Sequence, residues 1–509
     1  MKSTLQEKVA CEQKELFHDS SYSAQSVFVP RLLRSFWRRV CARRGIVAYL
    51  PLGVAVILLF CGASWQMFGI RTDAAHYQCY ALAFWQGSQS TSSLPAHQCD
   101  FFSQFGVPQS SVERFHVLPI EYPPLTLSLF SVALLAPLHY YQIAFAILMA
   151  LAALPIYWLL QRYGPYGSAL ACAFSLVIGA WATAEGRFDL VPAGLTLLCV
   201  IAAERRRWTL AYVALALGFL FKIYPILLLP ALFIAEQIAR DRFARPSASL
   251  RLSDWPRALW STLRGARYWS WKNMFLFWAL ILVISGGFAL LNFQGAVLSQ
   301  WSYFTHRPVQ VESTGSSVLW LFSLLGHPVH VVKSFGSINV ISNLGHRVIL
   351  LGEACFFIGY MLVILWQWRG TFDLSQTCVA ILLLFIVTGK VFSPQYLIWL
   401  IPLLAYNGFF SRVWLVLWGS VCLLTTAIYP YMYNIRVGVH SFFAAPGFIT
   451  LVALRNFLLL FITLAFFFNW WNLNHRKPPL LPDRETSNAT VHEVLFPSTE
   501  PPQTETTLR

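Results

Sequence analysis

"EYPPLTLSLFSVALLAP", Glu121 to Pro137, is apolar enough to enter a bilayer, yet it is short for a crossing and is bounded by prolines. Whether it crosses decides the topology of everything after it. If it does, Arg162 and the "ERRR" run at 204–207 fall outside, against the rule that basic residues gather in cytosolic loops. We therefore read residues 122–137 as re-entrant or interfacial, on the outer side. Irregular backbone at that depth is tolerated only where protein or a water-filled cavity surrounds it.

The rest of the chain fits this frame. Its 509 residues are 57% hydrophobic and 12% charged, with a mean hydropathy of +0.56, values that exclude a soluble globular protein. Apolar runs of roughly 15 to 23 residues recur from about residue 47 to residue 470, and they are helical, because barrel strands would alternate in segments of ~10 residues. With 122–137 held back, spans fall near 49–68, 140–160, 168–184, 189–203, 208–221, 223–237, 275–292, 346–368, 375–388, 394–410, 413–429 and 447–470. The expectation is an all-α polytopic membrane protein with about 12 crossings and both termini in the cytosol. Residues 1–45 are a basic cytosolic segment and 46–470 the transmembrane domain, with external loops at about 69–121 and 293–345. Residues 471–509, rich in Pro, Thr and Glu, read as a disordered cytosolic tail. The first apolar run follows a basic stretch and acts as an uncleaved anchor.

The net charge of +15 does not point to nucleic acid. The basic residues flank apolar runs, at 31–44, 204–208, 240–272, Arg369, Arg412 and 475–477, which is the pattern that sets topology and attracts anionic lipid. The segment "RLSDWPRALWSTLRGARYW" within 240–272 is amphipathic and is expected to lie on the inner leaflet. Most of the ten cysteines sit in apolar runs, but Cys79 and Cys99 share the first external loop and are free to pair there.

The same topology sends these polar stretches to the outer face: "GIRTDAAHYQCYALA" (69–83), "EYPP" (121–124), "EGRFDL" (185–190), "FKIYP" (221–225), "THRPVQVEST" (305–314), "TGKVFSPQY" (388–396) and "YMYNIR" (431–436). Ionisable residues at membrane depth are costly and usually line a cavity or pathway. The group holds carboxylates (Asp73, Glu121, Glu185, Asp189, Glu312), cations (Arg187, Lys222, His306, Arg307, Lys390) and aromatics such as Tyr122 and Tyr396. Such a set suits a lipid phosphate and sugar hydroxyls: a base takes a hydroxyl proton while cations stabilise a departing phosphate. Plainer readings stand beside this one. Asp73 alone would cap a helix, Arg187 and Asp189 would pair with each other, Lys222 would snorkel, and the tyrosines would form an interfacial belt. His97, Cys99, Asp100 and His116 lack persuasive zinc-ligand spacing, so no metal or other cofactor is expected.

In order and approximate spacing, "TDAAHYQCYA", "EYPPL", "EGRFDLVPAGLTLL", "LGFLFKIYPILLLP", "HRPVQVES", "GKVFSPQYLIWLIPLL" and the late Arg455-Asn456 resemble the bacterial membrane glycosyltransferases of family 87, which have the GT-C fold. The resemblance covers about residues 47–470. It implies an enzyme that takes a sugar from a polyprenyl-phosphate donor at the outer face, often mannose and in some members arabinofuranose, and passes it with inversion to a glycolipid or glycan acceptor. It assigns Asp73, in a "TD" context after the first span, as general base. Arg187, Lys222, His306, Arg307 and Lys390 become candidates for the donor phosphate, and Tyr77, Glu121, Tyr122, Glu185, Asp189, Glu312 and Tyr396 for sugar and acceptor. Family members commonly carry "VY" shortly after the Asp, where this chain reads "DAAHY", and the loop from Gln86 to Val117 is its own, expected to shape the acceptor site. The rivals are a transporter, which would show two halves with matching breaks and a midplane site, and an envelope scaffold, which gives no reason for cations to meet carboxylates at membrane depth.

Overall fold

A computed structural model describes residues 46–103, 112–243, 255–408, 411–435 and 445–468. The two terminal segments and the basic clusters at 31–44 and 475–477 lie outside the described residues. One compact unit ends at Phe467; of a second, Phe468–Arg509, only the first residue is described.

The unit is built of helices. Those used below are α1 (Leu50–Ala63), α2 (Asp73–Gln86), α3 (Thr126–Val132), α4 (Tyr141–Tyr163), α5 (Ser168–Gly179), α6 (Leu190–Glu204), α7 (Trp208–Phe221), α8 (Leu229–Ala239), α9 (Trp255–Arg264), α10 (Lys272–Leu291), α11 (Ser299–His306), α12 (Thr314–Ser323), α13 (Gly345–Arg369), α14 (Leu374–Thr388), α15 (Tyr396–Asn407), α16 (Arg412–Thr426) and α17 (Phe448–Phe467). Every segment expected to cross carries an apolar helix. Five helices are long and apolar enough to span by length and composition: Leu138–Tyr163, Lys272–Leu291, Gly345–Arg369, Arg412–Asn434 and Phe448–Phe467. Of the others, several are shorter than the sequence suggested, because polar breaks take turns from their ends: Trp181–Asp189 leaves the helix between α5 and α6, and α15 begins only at Tyr396; α6, α7 and α14 run at the expected length, α14 opening on a capping box at Asp373.

The contacts sort the helix ends into two sets. At one end Tyr157 and Gln161 of α4 donate to Ala48 O, Arg205 lies over the Tyr163 ring, Tyr406 donates to Glu204, and Asn273 donates to Glu236. At the other, Gln142 Nε2 donates to Gly69 O at 2.9 Å and Gln78 Nε2 to Leu138 O at 2.7 Å, so the chain leaves the bundle after α1 and re-enters at α4 on the same side. Residues 122–137 form the two-turn α3 and short 3-10 turns rather than a helix of spanning length. Cys79 of α2 is disulfide-bonded to Cys99, which ties the loop after α2 back onto that helix.

The long loop 293–345 contains the chain's departure from all-helical structure. Strands β1 (Val309–Gln310), β2 (Val329–Ser334) and β3 (Ser337–Ser342) form an antiparallel sheet in the order β1-β3-β2. The reason is local: "VHVVKSFGSINVIS" alternates, and Phe335 and Gly336 both take positive φ, as a tight two-residue hairpin turn requires. Val309, Val311 and Val340 of this region pack with Leu319 of α12, Ile428, and Phe448 and Val452 of α17.

Candidate active site

Asp73 owes its position to the residue before it. Thr72 is extended, and its hydroxyl accepts from Ala75 N at 3.1 Å and donates to Gln142 Oε1 at 3.0 Å, so it caps α2 and ties the cap to α4. A carboxylate in the first turn that follows is favoured by the helix dipole. Arg187, from the turn between α5 and α6, puts Nη2 2.7 Å from Asp73 Oδ2. The two side chains remain 15% (Arg187) and 25% (Asp73) exposed, so the pair is open on one side. The turn itself sits hard against α1: a Cβ added at Gly62 would stand 2.1 Å from Trp181 O. Gln66 Nε2 donates to Ala182 O and to the Tyr429 hydroxyl, and Arg187 Nη1 reaches Ser393 Oγ at 3.4 Å.

Arg187 and Asp189, neighbours in sequence, do not pair with each other. Asp189 Oδ1 accepts from Lys222 Nζ at 2.8 Å and from Trp399 Nε1 at 2.6 Å. The ammonium lies 4.7 Å from the centre of the Phe188 ring, 5.3 Å from that of Tyr122 and 5.5 Å from that of Trp399, an aromatic box that favours a cation. Trp399 is stacked in turn on Tyr396 at 4.0 Å and Tyr224 at 4.2 Å. Behind the box, buried Tyr77 stacks on Phe130 at 4.2 Å and meets Tyr122 edge-on.

Glu121 stands among these groups. Burial and the charge of Asp73 push its pKa up to about 7, against the pull of Arg307, a hydrogen bond with Tyr122, and Arg187. Arg307, just after α11, lies over the Tyr303 ring at 5.3 Å, and its buried Nε has no hydrogen-bond partner. His306 is exposed and Lys390 donates to Thr305 O, which places both at the rim around α11. Glu185 is 1% exposed with neither carboxylate oxygen bonded, and burial pushes its pKa up to about 9.

Glu312 is committed elsewhere. It accepts from Tyr433 at 2.6 Å and from Arg455 Nη1 at 2.8 Å, while its carbonyl takes Arg455 Nη2 and Asn456 Nδ2. Three residues of this region went without a role in the sequence reading: Trp399, Tyr429 and Arg455. The first follows Tyr396 by three positions in a quoted motif, which is enough to place both on one helix face. Tyr429 carries no such signal.

Among the described residues no group of three or more His, Cys, Asp and Glu is arranged to hold a metal ion; His97 pairs with Asp100 and His116 with Glu113.

No family model and no curated protein matches the chain. Among solved structures it is similar to ArnT from Cupriavidus metallidurans in the apo state, at 15% identity and a TM-score of 0.39, over 82% of this chain and 76% of that one. That likeness is too remote to bear on topology or chemistry.

Proposed function

We propose that this chain is an integral membrane glycosyltransferase of the GT-C type that moves a sugar, mannose by preference, from a polyprenyl-phosphate donor to a glycolipid or glycan acceptor at the outer face. The observation that carries the reading is the half-open Asp73–Arg187 pair at a helix N-terminus, beside an arginine whose guanidinium has a free buried donor. The order of motifs shared with family 87 supports it.

Asp73 is the general base. It takes the proton of an acceptor hydroxyl as that oxygen attacks the anomeric carbon; the bond from that carbon to the phosphate oxygen breaks, and polyprenyl phosphate leaves with the electron pair, inverting the centre. Arg187 aims the carboxylate. Arg307 is the leading phosphate ligand, with His306 and Lys390 at the rim to receive the charge that grows on the leaving oxygen. Lys222 and Asp189 hold each other inside the aromatic box and shape the floor, with Tyr122, Tyr396 and Tyr77 presenting or backing the ring faces on which a sugar rests. Glu121 accepts a sugar hydroxyl when ionised. Glu185 and Glu312 organise the pocket from behind.

The test is transfer of radiolabelled mannose from polyprenyl-phosphate mannose to membrane lipid acceptors, for wild type and Asp73→Asn at equal expression. Transfer by the wild type alone supports the reading. Transfer by both sinks the assignment of Asp73. If the wild type uses only polyprenyl-phosphate arabinose, the choice of mannose is wrong.

A further inference from the structure

At the end of the bundle away from Asp73, α8, α9 and the start of α10 build a surface that the reaction above does not use. Arg242, Arg257, Arg264, Arg267 and Lys272 are all exposed there. Among the described residues from Glu236 to Lys272 only two are carboxylates. Glu236 is buried and bonded to Arg240 and Asn273, which leaves, among the described residues, Asp241 alone beside the five cations, none of which forms a salt bridge with a described carboxylate. The surface is built rather than loose: Arg242 Nη1 donates to Tyr268 O at 2.7 Å, Gln237 and Ser270 bond to each other twice, and Trp271 Nε1 donates to Ala266 O.

Exposed aromatics stand among the cations. Arg264 lies over Trp260 and Arg267 over Tyr268, with those rings 59% and 62% exposed. The patch leads directly into Lys272–Leu291, a helix of spanning length, so it sits at the height of lipid headgroups.

We infer that Arg242, α9, the turn that follows it and the start of α10 form a binding surface for anionic phospholipid headgroups. Four to eight Lys or Arg beside a span attract such lipids, and exposed Trp and Tyr seat at the headgroup boundary. A neutral headgroup would leave the cations unanswered.

The full-length protein is examined by native mass spectrometry with dioleoylphosphatidylglycerol and dioleoylphosphatidylcholine. The wild type should retain the anionic lipid in preference. A triple variant, Arg257→Gln with Arg264→Gln and Arg267→Gln, should bind it roughly a hundredfold more weakly. Lys333→Gln, on the hairpin at the opposite end, should keep the preference. An unchanged thermal midpoint in the triple variant separates lost binding from lost fold. Equal retention of the two lipids by the wild type, or an undiminished preference in the triple variant, overturns the inference, as does binding of a soluble protein through these arginines without lipid preference.

Discussion

Arg187 meets Asp73 at 2.7 Å and Arg455 meets Glu312 at 2.8 Å, yet the first pair keeps 15% and 25% of its side chains exposed and the second 0% and 2%. Distance alone would call them the same interaction. What separates them is unused valence and access. Glu312 is saturated by Tyr433 and Arg455, and Arg455 is further fixed by Asn456 and by the Phe392 ring at 4.1 Å. Nothing can enter without unfolding the contact. Asp73 gives one oxygen to Arg187 and keeps part of its side chain exposed, so a small polar group can reach it from outside. A sealed pair holds α17 to the loop that carries Arg307; an open pair can exchange partners during a reaction cycle.

Four measurements would break or sharpen that contrast. Arg455→Met should have the largest effect on fold, costing about 3–5 kcal/mol because a buried carboxylate is left uncompensated; a thermal or denaturant midpoint unchanged from wild type would make the sealed pair dispensable. Asp73→Asn should lower the transfer rate by about 10²–10⁴, the usual worth of a general base, with the midpoint nearly unmoved. If it unfolds the protein as Arg455→Met does, the open pair is structural too.

The third is a pH effect. An unfolded chain releases the Glu121 proton near 4.5, whereas the folded protein holds it to about 7. Between those values the folded state binds more protons, so stability is full below about 4.5 and declines as pH rises through 7. Glu121→Gln should remove that part of the decline in midpoints measured from acid to neutral pH, leaving the part that Glu185 extends to about 9. The smallest effect on activity belongs to Glu185→Gln: at neutral pH the native side chain is already protonated, so the amide should leave activity close to wild type, while the neutral-pH midpoint should rise towards its acid value because the unfolded chain no longer gains by ionising there. A large loss there would mean that Glu185 works as a carboxylate.

The apolar helices were legible because hydropathy and charge placement are one-dimensional signals: every expected span carries a helix, and residues 122–137, held back by the basic runs, form a short helix and turns. The motifs at span ends also named polar residues that the fold gathers at one end of the bundle, Asp73, Glu121, Arg187 and Arg307 among them. The sequence did not carry the pairings. Residues two apart, such as Arg187 and Asp189, point different ways, and their partners come from 114 and 33 positions away, at Asp73 and Lys222. Nor did it carry the hairpin, although "VHVVKS" and "SINVIS" alternate as half-buried strands do; a search tuned to apolar runs of spanning length passes over segments of six.

Gly62 contributes by having nothing to contribute. With the carbonyl of Trp181 where its first side-chain carbon would go, α1 and the turn that bears Arg187 touch backbone to backbone. Most walls around a pocket are side chains, which can change rotamer and absorb an error. Here the tolerance is that of covalent geometry itself, so the aim of a guanidinium on a carboxylate is gauged by a residue that touches neither, and the margin is one methyl group wide.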